Sequence, residues 1–158
     1  MTYEVFRYEG GRDSDIANMV LTIQNDEQGL GLTVADQPDL EDISAAYDKG
    51  GFWVAASEGN IVGTIGLLRY GPHQAALKKM FVAREHRGPN GPAQALFDSL
   101  LDFARAEGIS ELLLDTPAAA TRSHSFYRRM GFQEADRLDL PPGYKFPDRD
   151  SLIFRLRI

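Results

Sequence analysis

The chain has 158 residues, 43% hydrophobic and 25% charged, which suits one domain with its own core and excludes the composition of a disordered chain. It contains no cysteine, so disulfides, thiolate metal sites and a cysteine nucleophile are excluded; any nucleophile comes from the substrate or another side chain. Seventeen basic residues against 23 acidic ones give a net charge of −6, which argues against nucleic acid as a partner.

Tyr3 to Tyr8 alternates aromatic and polar residues and reads as a first strand, ended by Gly10 and Gly11. Asp13 or Ser14 is placed to cap a helix running to about Gln28, and Asp39 to cap a second through Ile43, Ala46 and Tyr47. Phe52–Ser57 and Ile61–Tyr70 are strand-like runs joined by the hairpin signal Glu58-Gly59-Asn60; a turn at Gly71-Pro72 leads to a third antiparallel strand, Ala75–Val82. A glycine-rich loop follows. Then a helix from about Pro92 to Glu107 carries Ala93, Leu96, Phe97, Leu100, Leu101 and Ala104 on one stripe. Ile109–Thr116 is the next strand, and the strand–helix–strand crossover makes it parallel to its predecessor. Pro117–Met130 reads as a further helix, Phe132 as a short strand, and Ser151–Ile158 as a last strand with Leu152, Phe154, Leu156 and Ile158 on one face. The expected organisation is a single domain over residues 1–158.

Charge is unevenly spread. Acidic residues dominate the first part (Asp13, Asp15, Asp26, Glu27, Asp36, Asp39, Glu41, Asp42, Asp48), whereas Lys78–Gly88 holds Lys79, Arg84 and Arg87 with only Glu85 opposing. An acidic body with one basic stretch points to an anionic ligand there. Met1–Gly11 lacks the apolar stretch of a signal peptide and no run nears the roughly 18 residues of a membrane span, so a cytoplasmic chain without a membrane partner is expected.

Two segments carry chemistry. In Arg84-Glu85-His86-Arg87-Gly88-Pro89-Asn90-Gly91-Pro92-Ala93, between a strand and an amphipathic helix, Gly88 and Gly91 let backbone approach an anion, the free N–H groups of the helix start point at it, and Arg84 and Arg87 add charge. An ordinary tight loop with a proline-started helix reads the same residues equally well. The glycine spacing matches neither a Walker loop nor a dinucleotide fingerprint. In the second segment, Ser123 to Phe132, Phe126 and Met130 share a face and Tyr127 reads first as a packing residue. The histidines at 73, 86 and 124 show no metal-ligand spacing, and no metal is expected.

In this order and separation the two segments resemble the GNAT superfamily of acyltransferases, most specifically over Leu77–Phe132. The resemblance implies an α/β (α+β) fold: a mixed, mostly antiparallel sheet of six or seven strands flanked by about four helices, with strands four and five parallel and splayed. It implies acetyl-CoA as cosubstrate, lying along Met80, Phe81 and Val82, with Arg87, Gly88, Asn90, Gly91 and Ala93 around the pyrophosphate, Phe126 beside the cofactor, and Tyr127 meeting the departing thiolate. The implied activity is acetyl transfer to a primary amine by direct attack in a ternary complex, on a small-molecule or peptide acceptor bordered by Tyr144 and Phe146. A homodimer is common in such proteins. A non-catalytic acetyl-CoA sensor on the same fold is the alternative, because the chain departs from the pattern. Asn90 looks inserted in the loop, Ala120 replaces an asparagine seven residues before the tyrosine, and no glutamate precedes Leu77 on the fourth strand. For the general base, His73, Glu58, Asp115 or a water relay remain open.

Overall fold

The computed structural model describes residues 2–145 and 150–158. Seven strands form one sheet: β1 (Glu4–Arg7), β2 (Gly51–Ser57), β3 (Asn60–Arg69), β4 (Gln74–Val82), β5 (Glu111–Pro117), β6 (Gln133–Ala135) and β7 (Ser151–Arg157), in the order β1-β2-β3-β4-β5-β7-β6. All neighbours are antiparallel except β4 and β5, as the crossover predicts.

Four α-helices cover the two faces: α1 (Asp13–Thr22), α2 (Ile43–Ala46), α3 (Ala93–Ala106) and α4 (Thr121–Arg129). The stripe of α3 buries Leu96, Phe97, Leu100 and Ala104 against Trp53, Ile65, Leu77, Leu112, Leu114 and Phe154, and α4 adds Tyr127 to the same core. On the opposite face α1 buries Ile16, Ala17 and Val20, and α2 buries Ile43, against Tyr8, Leu40, Tyr47, Phe52 and Val54. Each fully buried leucine or isoleucine contributes roughly 1.5–3 kcal/mol of transfer free energy, so both faces are firmly closed by helix.

Three local expectations are corrected. The first helix starts after Arg12 with no side-chain cap, because the Asp13 carboxylate accepts from Tyr8 Oη at 2.6 Å instead. Its last turn, Ile23–Glu27, widens to a π-helix. The second helix is capped by Asp42, whose carboxylate accepts from the Ala45 amide, and Asp39 lies in the preceding 3-10 turn. The last strand is not single-faced: β7 lies between β5 and β6, and Ile153 is buried on one face and Phe154 on the other.

Two irregularities shape the centre. β4 and β5 pair over only three rungs, Gln74↔Glu111 to Ala76↔Leu113, and then part. On its other edge β4 bulges: Gly66 pairs with Lys78 but Thr64 pairs with Phe81, so Lys79 and Met80 together oppose Ile65. Lys79 takes the left-handed φ of +51° that the bulge demands, and Thr64 Oγ1 donates to its carbonyl at 2.7 Å.

Candidate active site

Where β4 and β5 part, a cavity of ≈ 800 Å³ opens on the α3/α4 side. Its floor is the end of β4, Met80–Val82; one end is the loop Arg84–Gly91 with the first residues of α3; the far wall is Phe126, Tyr127 and Met130 of α4. The structure thus brings together Met80, Phe81, Val82, Arg87, Gly88, Gly91, Ala93, Phe126 and Tyr127. Asn90 is exposed and does not line the cavity.

The loop geometry explains the glycines. Gly88 has φ +109°, and its carbonyl accepts from the Gly91 amide at 3.0 Å, so Pro89 and Asn90 are the central pair of a turn. A Cβ on Gly91 would stand 2.1 Å from the His86 carbonyl oxygen, a contact no larger residue tolerates. The first amides of α3 have no intrahelical partners and face this end of the cavity with the positive end of the helix dipole. Arg122 and Arg129 line the α4 wall.

Arg87 is used differently from its sequence reading. Its Nε donates to the Val82 carbonyl at 2.9 Å, and its two terminal nitrogens grip the Glu27 carboxylate at 2.6 and 3.1 Å. The side chain ties the π-turn after α1 to the end of β4 behind the loop. The bidentate bond holds the Glu27 pKa below the usual carboxylate value. No local signal in the sequence points to Glu27.

Tyr127 is buried at 5% exposure, and among the described residues its hydroxyl makes no hydrogen bond although it borders the cavity. Burial, with the Asp115 charge adding to it, pushes its pKa up, so it stays a protonated donor at neutral pH. His124 is buried with Nε2 2.9 Å from the Pro117 carbonyl oxygen, a packing role.

The α1/α2 side of the splay is polar. Lys78 Nζ lies 3.6 Å from Asp115 Oδ1 and 3.3 Å from Tyr144 Oη, and the Tyr144 hydroxyl donates to Asp115 Oδ1. Tyr144 also stacks on Tyr70 at 5.4 Å. Next to this group Lys79 Nζ pairs with Asp39 Oδ2 at 3.4 Å, and Tyr47 Oη donates to the same oxygen at 2.7 Å. Desolvation lowers the Lys79 pKa, only partly offset by Asp39. Tyr144 is thus placed beside the splay, while Phe146 lies outside the described residues.

Residues 17–132 match the family model described as the Acetyltransferase (GNAT) family. The chain belongs to the GNAT acetyltransferase family. N-acetyltransferase 8 of Rattus norvegicus is 40% identical over 104 residues, 61% of this chain and 46% of that protein. The chain spans about half the length of the curated relatives it matches. A crystal structure of an acetyltransferase from Streptococcus agalactiae is 36% identical, with a TM-score of 0.93 over 99% of this chain and 98% of that one. N-acetylglutamate synthase from Neisseria gonorrhoeae, solved with coenzyme A and N-acetyl-glutamate, shares the fold at a TM-score of 0.75 and 20% identity, over 99% of this chain and 35% of that one.

Proposed function

We propose that this GNAT protein transfers the acetyl group of acetyl-CoA to a primary amine by direct attack within a ternary complex. One observation carries the reading: a cavity opens where β4 leaves β5, with free amides of a helix start at one end and an unpartnered phenol on its wall. A pantetheine arm fits as an extended segment beside Met80–Val82, taking the backbone groups that β5 has released. The pyrophosphate takes the amides at the start of α3, with Gly88 and Gly91 allowing close approach and Arg87 bracing the loop from behind. Arg122 and Arg129 add positive charge on the opposite wall.

The chemistry asks little of a cofactor site beyond orientation. The amine nitrogen attacks the thioester carbonyl carbon, the C–S bond breaks, and the sulfur leaves with the electron pair. A phenol of pKa about 10 giving its proton to a thiolate of pKa about 8.5 is uphill by roughly 2 kcal/mol, and the raised pKa of Tyr127 steepens this. Tyr127 therefore stabilises the departing sulfur chiefly by hydrogen bonding, with proton delivery late.

Calorimetric titration with acetyl-CoA, followed by thiol release across a panel of amines, tests the proposal. Binding with turnover is expected. Binding without turnover on any amine would make the protein a cofactor sensor, and no binding would overturn the cofactor site.

A further inference from the structure

A direct-attack mechanism needs a proton acceptor for the incoming amine, and the fourth strand supplies no carboxylate: Ala75, Ala76 and Leu77 occupy it before Lys78. His73 stands before the start of β4, seven residues from Met80 and about 23 Å away along a strand, with Nδ1 turned to the Gly108 carbonyl. Glu58 is exposed on the β2–β3 turn, between strands that stay paired and that do not neighbour β5 in the sheet. Asp115 differs from both. In the parallel register that pairs Ala76 with Leu113, Asp115 stands opposite Lys78, two rungs beyond the last backbone pair, where the strands have begun to part.

We propose that Asp115 is the proton acceptor for the amine, held in place by Lys78 and Tyr144. This rests on the acetyltransferase reading and adds a residue to it. The argument is geometric. Leu112 and Leu114 point into the α3/α4 core, so Asp115 points to the other side of the sheet, across the splay from the cavity that takes the cofactor. Its carboxylate is 12% exposed and its two oxygens are unequal: Oδ1 takes both the Tyr144 hydroxyl and Lys78, whereas Oδ2 takes no hydrogen bond among the described residues. Two neighbours clamping one oxygen fix the carboxylate plane and leave the second oxygen to meet a ligand. The charge of Asp115 also bears on the hydroxyls of Tyr127 and Tyr70.

The step balances without any further reactant. As the C–N bond forms, the nitrogen carries one proton too many; Asp115 Oδ2 receives it, the C–S bond breaks, and the thiolate keeps the bonding pair until protonated by Tyr127 or water. The groups facing Asp115 are Lys78 and Lys79 of β4, Tyr70 at the end of β3, Tyr127 of α4 and Tyr144 of the loop before β7.

The test uses the full chain with acetyl-CoA and the best acceptor of the amine panel. Asp115→Asn and Asp115→Ala are expected to lower kcat on the order of a hundredfold, with acetyl-CoA affinity unchanged. Sodium formate is expected to restore Asp115→Ala by roughly tenfold, since a small carboxylate fills the vacated space, and to leave Asp115→Asn unaffected. Tyr144→Phe, which removes one of the two partners of Oδ1 and keeps the carboxylate, should lower kcat less. Undiminished kcat in Asp115→Asn, or a loss in Asp115→Ala that formate does not repair, would overturn the assignment. Failure of the parent to bind acetyl-CoA would instead overturn the acetyltransferase reading and this inference with it.

Discussion

The two sides of the gap between β4 and β5 are built by different means. On the α3/α4 side the site is made chiefly of backbone: the parted strand edge of Met80–Val82 and the helix-start amides behind Gly88 and Gly91, facing an α4 wall where Arg122 and Arg129 accompany the Tyr127 hydroxyl. On the α1/α2 side it is made of side chains in pairs: Lys78 with Asp115 and Tyr144, Lys79 with Asp39 and Tyr47. The first side suits a ligand whose shape and charge are constant. The second is a cluster of paired lysines, aspartates and tyrosines whose partners come from distant segments and can be exchanged one at a time. The β4 bulge joins them. It turns consecutive lysines toward the same polar side and returns Met80 and Val82 to the α3/α4 core.

Three substitutions break this comparison at different points. The largest effect is expected on the backbone side: Gly91→Ala puts a methyl group 2.1 Å from the His86 carbonyl oxygen. The loop must refold, and calorimetry should show acetyl-CoA affinity weaker on the order of a hundredfold, about 2.7 kcal/mol, with secondary structure intact by circular dichroism. Next, Tyr127→Phe keeps the ring packing on Phe132 and Phe154 but removes the hydroxyl. Steady-state thiol release should show kcat lower by roughly thirtyfold, about 2 kcal/mol, with acetyl-CoA affinity retained.

The smallest effect belongs to the paired side. Asp39→Asn leaves Lys79, whose side chain is 14% exposed, without its counter-ion, and chemical denaturation at neutral pH should show a loss of about 1.5 kcal/mol. Its pH dependence has a definite sign. Burial sets the folded pKa of Lys79 below the unfolded value of about 10.4, so between the two the unfolded chain binds more protons and stability rises with pH. Asp39→Asn lowers the folded pKa further and widens that window, so its deficit should shrink as pH rises. Lys79→Met should abolish this rise.

Much of the fold was legible because it is local. The alternation of the strands, the stripe on α3 and the glycine-punctuated turns put nearly every element within a few residues of its observed span. The caps were misassigned because a carboxylate near a helix start has competing partners. Asp13 is taken by Tyr8 and Asp39 by Tyr47 and Lys79, neither of which is visible from neighbouring residues. The glycine loop and Tyr127 were readable on the cofactor side. The destination of the Arg87 side chain was not, since Glu27 lies 60 residues away in sequence.

What the sequence determined by itself is therefore the scaffold and the backbone half of the site, because hydrophobic period, glycine placement and helix starts act over one or two turns of chain. Only the tertiary structure decided the other half. Asp39, Lys78, Lys79, Asp115 and Tyr144 come together because a one-residue bulge turns β4 and the pairing of β4 with β5 stops after three rungs. Both depend on how strands pack against helices from elsewhere in the chain, and a charge pair formed across that gap leaves no periodic trace in the order of residues.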